Sequence, residues 1–264
     1  MNSKTLRDAR MCRSIFRLAF LAVLILTIQP IGHANAVSDS DWNISFKDDG
    51  CVMPSINSTK WLTEDGNRFI RFTLNDKDKG NCGRDRSSRH GAPYWERAEL
   101  QQSSRLYFNK KYELTFEARF VEGFLGYQET FFQYHAHGGS SCWAYPPAML
   151  KISTQRIELH VLKQNATQRG GLAHHRTQLW IEDLIGDWKK FKFVFDTSKK
   201  PKISMYIDEN IIFNDLSYWI EPCGIPRFKI GIYRPGNESN QIARSVIDFD
   251  KFQLKVLDED FRQK

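Results

Sequence analysis

The stretch Pro226-Arg227-Phe228-Lys229-Ile230-Gly231-Ile232-Tyr233-Arg234-Pro235-Gly236 alternates between apolar and polar positions, the period of a β-strand packed against a core on one side. Phe228, Ile230 and Ile232 fall on one face, and Lys229, Gly231 and Tyr233 on the other, because successive strand side chains point in opposite directions. A cation and a phenol flank a position with no side chain, which describes a floor that a ligand can approach down to the backbone. Two other stretches share this design. In Trp95–Gln101, Arg97, Glu99 and Gln101 oppose Ala98 and Leu100; in Phe131–His137, Gln133, His135 and His137 share a face within an aromatic and apolar run. Taken singly, the Arg–Glu alternation reads as a solvated pair and a strand histidine as a satisfied core residue. Three polar rows together read as the lining of a site.

Working outward, strand patterns recur over 41–46, 68–74, 95–101, 111–120, 129–137, 148–152, 156–162, 177–181, 188–195, 202–207, 211–214, 227–234 and 244–256. Ser153-Thr154-Gln155 and Asp208-Glu209-Asn210 sit between adjoining runs as hairpin turns. A polar segment rich in Asp, Arg, Gly and Ser spans 75–91. Nothing holds a helical period beyond one or two turns. Many strands with little helix predict an all-β, two-sheet sandwich of jelly-roll type, with a substrate groove on one concave face.

The first 36 residues stand apart. Lys4, Arg7, Arg10, Arg13 and Arg17 precede an apolar run from Leu18 to Ile28, and Ala34-Asn35-Ala36 follows. The run is shorter than the ~20 residues that span a bilayer, and A-x-A is a cleavage pattern, so residues 1–36 read as a secretory signal peptide and 37–264 as one domain. The protein is expected to be secreted or periplasmic, with no membrane association after cleavage. The whole chain carries 38 basic and 31 acidic residues, a net charge of +7. Without the signal this becomes 33 against 30, or +3, compatible with a polyanionic partner without singling one out. No block of five basic residues occurs, which argues against nucleic acid.

Cys12 leaves with the signal; Cys51, Cys82, Cys142 and Cys223 remain. An even number in an exported chain predicts two disulfides. The pairing Cys51–Cys82 and Cys142–Cys223 is favoured because each bond would tether a loop flanking a site strand. No C-x-x-C spacing supports a metal site, and the tandem His174-His175 reads as part of a solvated loop, with metal ligation or a lid as the rival readings. No metal or cofactor is expected. The sequons at Asn43, Asn57, Asn165 and Asn237 read as incidental in a chain with a short, bacterial-style signal.

Arg, Gln, His and Tyr together suit β-elimination at a uronic acid. The C5 proton is poorly acidic while the adjacent carboxylate is charged, so donors must neutralise that charge. A base then takes the proton, and an acid protonates the leaving glycosidic oxygen. Tyrosine ionises near pH 10, so a catalytic one needs cations nearby; Arg97, Lys229 and Arg234 are the candidates.

Arg97-Ala98-Glu99-Leu100, Gln133-Tyr134-His135 and Phe228-Lys229-Ile230-Gly231-Ile232-Tyr233 resemble the three signature strands of jelly-roll polysaccharide lyases. That group, of concanavalin A-like fold, includes alginate lyases and the similar heparin-lyase-I-like and glucuronan lyases. The motifs occur in the group's order, and the resemblance covers most of residues 45–257. It implies that Arg97, Gln133 and His135 grip or neutralise the substrate carboxylate. Tyr233 would be the acid and, for one stereochemistry, also the base, with His135 the base for the other. Glu99 would orient Arg97; Lys229, Arg234 and His137 would line the substrate path. Tyr134 stands where alginate lyases carry a small aliphatic residue, and Arg234-Pro235-Gly236 where they carry Asn-Gln, so the polymer stays open among alginate, glucuronan and a heparin-like glycosaminoglycan. The modest charge favours an unsulfated polyuronate, degraded by a monomer.

Two other classes compete. A glycoside hydrolase of this fold would need paired carboxylates, but the E-x-D-x-x-E pattern is absent, and Asp248 and Asp250 read as solvated. A non-catalytic carbohydrate-binding module of laminin-G type fits the strand-turn-strand at 203–213 but does not require the Arg, Gln, His and Tyr set.

Overall fold

The computed structural model describes residues 42–47, 58–80, 82–83, 85–88, 92–124, 126–137, 145–163, 171–236 and 244–257. They belong to the unit Ala34–Lys264. The expected signal peptide, residues 1–36, lies outside them. So do Cys51 and Cys142; Cys82 and Cys223 are each disulfide-bonded.

The strands in chain order are β1 (Phe46–Lys47), β2 (Thr59–Glu64), β3 (Asn67–Asn75), β4 (Trp95–Gln102), β5 (Lys111–Phe120), β6 (Thr130–His137), β7 (Ala148–Ser153), β8 (Arg156–Leu162), β9 (Leu172–Trp180), β10 (Lys189–Asp196), β11 (Lys202–Ile207), β12 (Asn210–Ser217), β13 (Ile225–Pro235) and β14 (Arg244–Val256). A 3₁₀ turn, Ile181–Leu184, follows β9. Two seven-stranded antiparallel sheets result, ordered β1-β4-β13-β6-β7-β8-β9 and β12-β11-β10-β5-β14-β3-β2. The expected jelly-roll sandwich is the fold. No helix among the described residues is long and apolar enough to cross a membrane.

Local chemistry explains the hairpins. Thr154 and Gln155 have φ of 49° and 64°, and Asp208 and Glu209 of 48° and 65°. Positive φ at both central residues is the turn whose twist matches paired strands. Asp65 and Gly66 (φ 50° and 81°) make a third such turn between β2 and β3, and β2 is a strand that the alternation missed. His174 and His175 lie on β9 rather than in a loop, because the strand pairs across its length with β8.

The core is aromatic. Phe132 of the first sheet stacks on Phe116 and Phe193 of the second, with ring centroids 5.2 Å apart in each case. Phe131 beside it is also fully buried and meets Phe120 and Phe191. Two neighbours on one face break the alternation, and the β6–β7 register shifts between Thr130 and Phe132. A bulge here drives both rings inward. Burying each is worth roughly 1.5–3 kcal/mol.

Arg234 also turns inward. Tyr233 faces out, so the next side chain must point between the sheets. There Arg234 is 1% exposed, its Nε bonds Glu96, and its Nη1 donates to Ser245 Oγ at 2.9 Å. Ser245 in turn donates to Glu129 at 3.0 Å. Arg234 therefore serves the sandwich and not the substrate path expected for it. Burial raises the Glu129 carboxyl to about 7, although Arg234 and Ser245 pull it back. A carboxyl raised in the folded state binds its proton more tightly there, so its contribution is full below the usual carboxylate range and is lost as pH rises through about 7. Glu129→Gln is expected to flatten the fall in stability between about pH 5 and pH 8. Urea midpoints at the two pH values check this; an unchanged difference would contradict it.

Asp248 and Asp250 are buried, not solvated as expected. Arg71 and Arg119 both bond Asp248, at 2.6–3.0 Å, and Trp42 Nε1 donates to Asp250 at 3.2 Å. Both residues lie on β14, in the second sheet, away from the polar rows.

Candidate active site

The outer faces of the two sheets differ. On β5 outward residues alternate as half-buried or exposed, the ordinary state of a solvated face, whereas β4 is buried at nearly every position. Glu99, Gln101, Gln133 and Lys229 point away from the apolar core yet are only 3–5% exposed. Polar side chains hidden on an outer face line a recess. Its position follows from strand order: β13 runs between β4 and β6 and brings three distant stretches side by side.

The registers set two rows across this face. Gln101, Lys229, Gln133, Met149, His160 and His174 are successive partners. Alongside them run Glu99 opposite Gly231, and Lys151 opposite Glu158 opposite Arg176. Ala98, Tyr134 and Ile232 lie in the core, so Arg97, Gln133, His135 and Tyr233 share the other face, as alternation requires.

Contacts join most of the expected residues. Tyr233 is the register partner of Arg97. The Arg97 guanidinium lies over the Tyr233 ring, 4.3 Å from its centroid, and Trp95 stacks on the same ring at 4.9 Å. Arg97 Nη1 donates to Glu99 at 2.8 Å, and Gln133 Nε2 donates to the other Glu99 oxygen. Glu99 thus bonds both Arg97 and Gln133. Lys229 sits between Gln101 and Gln133 on the floor. His135 shares the face but lies opposite Arg227, six positions along β13 from Tyr233. The backbone of His137 pairs with Ile225; its side chain is outside the described residues.

Asp85 was not foreseen. Fully buried, it takes hydrogen bonds from Arg97 Nε at 2.9 Å and Nη2 at 3.2 Å. Burial alone would lower the guanidinium's pKa, but Glu99 and Asp85 more than offset it, and Arg97 is held above its usual range. Asp85 lies in the polar segment 75–91, where no period marks any position. Glu158 and His160 were also missed, although they alternate with Ile157, Leu159 and Val161.

Gly231 needs its missing side chain for another reason than the one expected. Its φ is +129°, and an added Cβ would sit 2.1 Å from the Ala98 carbonyl oxygen. The β13–β6 register shifts between Ile230 and Tyr233, so Gly231 lies in a bulge pressed against β4. The close approach seen here is by a neighbouring strand.

Among the described residues, Glu158, His160 and His174 have ligand atoms within 4.8 Å of one another. The two imidazoles are stacked, with centroids 4.0 Å apart and planes within 17°, so one ion could not lie in both ring planes. His160 Nε2 is 2.9 Å from one Glu158 oxygen and Arg176 Nε 2.8 Å from the other. Burial pushes His160 down to about 4 despite the Glu158 hydrogen bond. Burial would raise Glu158, but His160 and Arg176 outweigh it and hold the carboxyl below its usual range. The cluster is a neutral imidazole beside an arginine-paired carboxylate and does not fit a metal as it stands. Among the described residues, the outer-face carboxylates Asp85, Glu99 and Glu158 are each bound by Arg or His partners.

Residues 36–251 match the family described as "Polysaccharide lyase". Among solved structures, an endo-β-1,4-glucuronan lyase from the fungus Trichoderma reesei is similar with a TM-score of 0.57 and 12% identity, covering 84% of this chain and 93% of that one. An alginate lyase from Pseudomonas aeruginosa gives 0.52 and 17%, covering 76% and 87%. Alginate lyase A1-II' gives 0.54 and 13%, covering 76% and 84%. No curated protein is significantly similar in sequence.

Proposed function

The chain belongs to the polysaccharide lyase family, and from that premise we propose that it cleaves a uronic-acid polysaccharide by β-elimination in the recess of the first sheet. The observation that carries this reading is the Tyr233 phenol held against the Arg97 guanidinium beside a buried floor of Lys229 and Gln133. In the proposed mechanism Lys229 and Gln133 neutralise the uronate carboxylate, which makes the C5 proton removable. Tyr233 delivers a proton to the departing glycosidic oxygen and, where the stereochemistry places C5–H on its side, first accepts the C5 proton. His135 is the base for the opposite stereochemistry. Arg227, Lys151 and Arg176 add positive charge along the strands for an anionic polymer. The fold likeness extends to both an alginate and a glucuronan lyase, and an unsulfated polyuronate suits the small net charge. The protein acts as a secreted or periplasmic monomer after loss of residues 1–36, stapled by Cys51–Cys82 and Cys142–Cys223.

The test is to incubate residues 37–264 with glucuronan, alginate and heparin and follow ultraviolet absorbance with reducing ends. Elimination leaves a C4–C5 double bond that absorbs, and at least one polyuronate should give it. Reducing ends without absorbance would mean hydrolysis, and binding with neither product would mean a carbohydrate-binding module; both would overturn the proposal.

A further inference from the structure

We propose that Asp85 is a positioning residue for this reaction, holding Arg97 over Tyr233 so that the guanidinium acts on the phenol rather than gripping the polymer. This rests on the lyase reading of Tyr233. Asp85 bonds one edge of the guanidinium through Nε and Nη2, and Glu99 bonds Nη1. A planar cation held at both ends by carboxylates has one orientation. Here its central carbon lies over the Tyr233 ring, 4.3 Å from the centroid, while the counter-charges bond its nitrogens. A cation placed so favours the phenolate over the phenol.

Asp85 is itself anchored. Its N–H donates to the Cys82 carbonyl at 2.9 Å, and its carbonyl accepts from Trp95 N–H at 2.8 Å. The Arg97 N–H donates to the Asp78 carbonyl at 3.0 Å. The segment is thus stitched to β4 at Asp78 and again at Asp85, and Cys82 is disulfide-bonded. The chain from the disulfide through Asp85 and Arg97 ends on Tyr233. Among the described residues, the charged and titratable groups on this outer face near Tyr233 include Arg97 and Glu99 from β4, Asp85 from the preceding segment, Lys229 from β13 and His135 from β6.

Asp85→Ala removes both bonds to one edge of Arg97. It is expected to lower kcat about 10²-fold, as for misplaced catalytic groups, with KM little changed. The rising limb of the pH–rate profile should move to higher pH. Asp85→Asn keeps one acceptor oxygen of the same shape and should fall between wild type and Asp85→Ala. An unmoved profile in both variants, at reduced kcat, would reduce Asp85 to a structural role. A profile moved to lower pH would mean that its charge, not its grip, matters. A raised KM with kcat intact would return Arg97 to polymer binding. Each of these outcomes overturns the proposal. The Tyr233 titration is independent of turnover, read as the ultraviolet difference between each protein and its Tyr233→Phe counterpart. Tyr233 should ionise at higher pH in Asp85→Ala than in the wild-type background. Wild type without unsaturated product, but with that displacement, would defeat the lyase reading alone; product without displacement would defeat the Asp85 proposal alone.

Discussion

Tyr233→Phe is expected to lower kcat by about 10²–10⁴-fold, the span of general acid–base catalysis, or roughly 3–5 kcal/mol in the barrier. The substitution deletes one oxygen and leaves the ring, so the Trp95 stack and the Arg97 contact lose no carbon partner. Stability should therefore hold, and thermal midpoints of the two proteins should agree closely. Affinity for the polymer should change far less than turnover, because Lys229 and Gln133 still line the floor. Loss of an interaction made chiefly in the transition state lowers kcat and kcat/KM together. Near-normal turnover on a confirmed substrate would show that the proton donor is another group, and His135 would be the next to replace.

Gly231→Ala should lower stability by about 2–6 kcal/mol, combining ~1–3 for a strained backbone with ~1–3 for overpacking. The added carbon would meet the Ala98 carbonyl oxygen at 2.1 Å and Glu99 Cα at 2.7 Å. Both are backbone atoms of a central strand, which cannot swing aside as a side-chain tip can. At φ of +129° an L-residue is strained whatever the space. Relief would have to come from moving β13 away from β4, and that displaces Tyr233 from Arg97. Protein that still folds should therefore also lose lyase turnover. Urea unfolding measures the first effect, and a change under about 0.5 kcal/mol would mean that β13 does not lie in this bulge.

Alternation along single strands already told which residues share a face. Arg97 with Glu99, Gln133 with His135, and Lys229 with Tyr233 needed nothing beyond period 2. The same rule sends Arg234 inward beside Ile232, and the charged chain end alone had suggested otherwise. The hairpins at 154–155 and 208–209 were legible because a two-residue turn is a local choice. Even Glu158 and His160 stood in plain alternation on β8.

The sequence by itself determined the class of fold, the faces of its strands and the residue types offered to a substrate, since each depends on neighbours along the chain. Tertiary structure alone decided how the strands meet. Only the order β4-β13-β6 puts Tyr233 on Arg97 and Lys229 beside Gln133. Only the bulge shows that Gly231 answers to the Ala98 carbonyl. Asp85 has no period to announce it, and its partner is twelve residues away on a strand it does not belong to. Such a contact is fixed by the path of a loop over a sheet, and local patterns carry no record of that path.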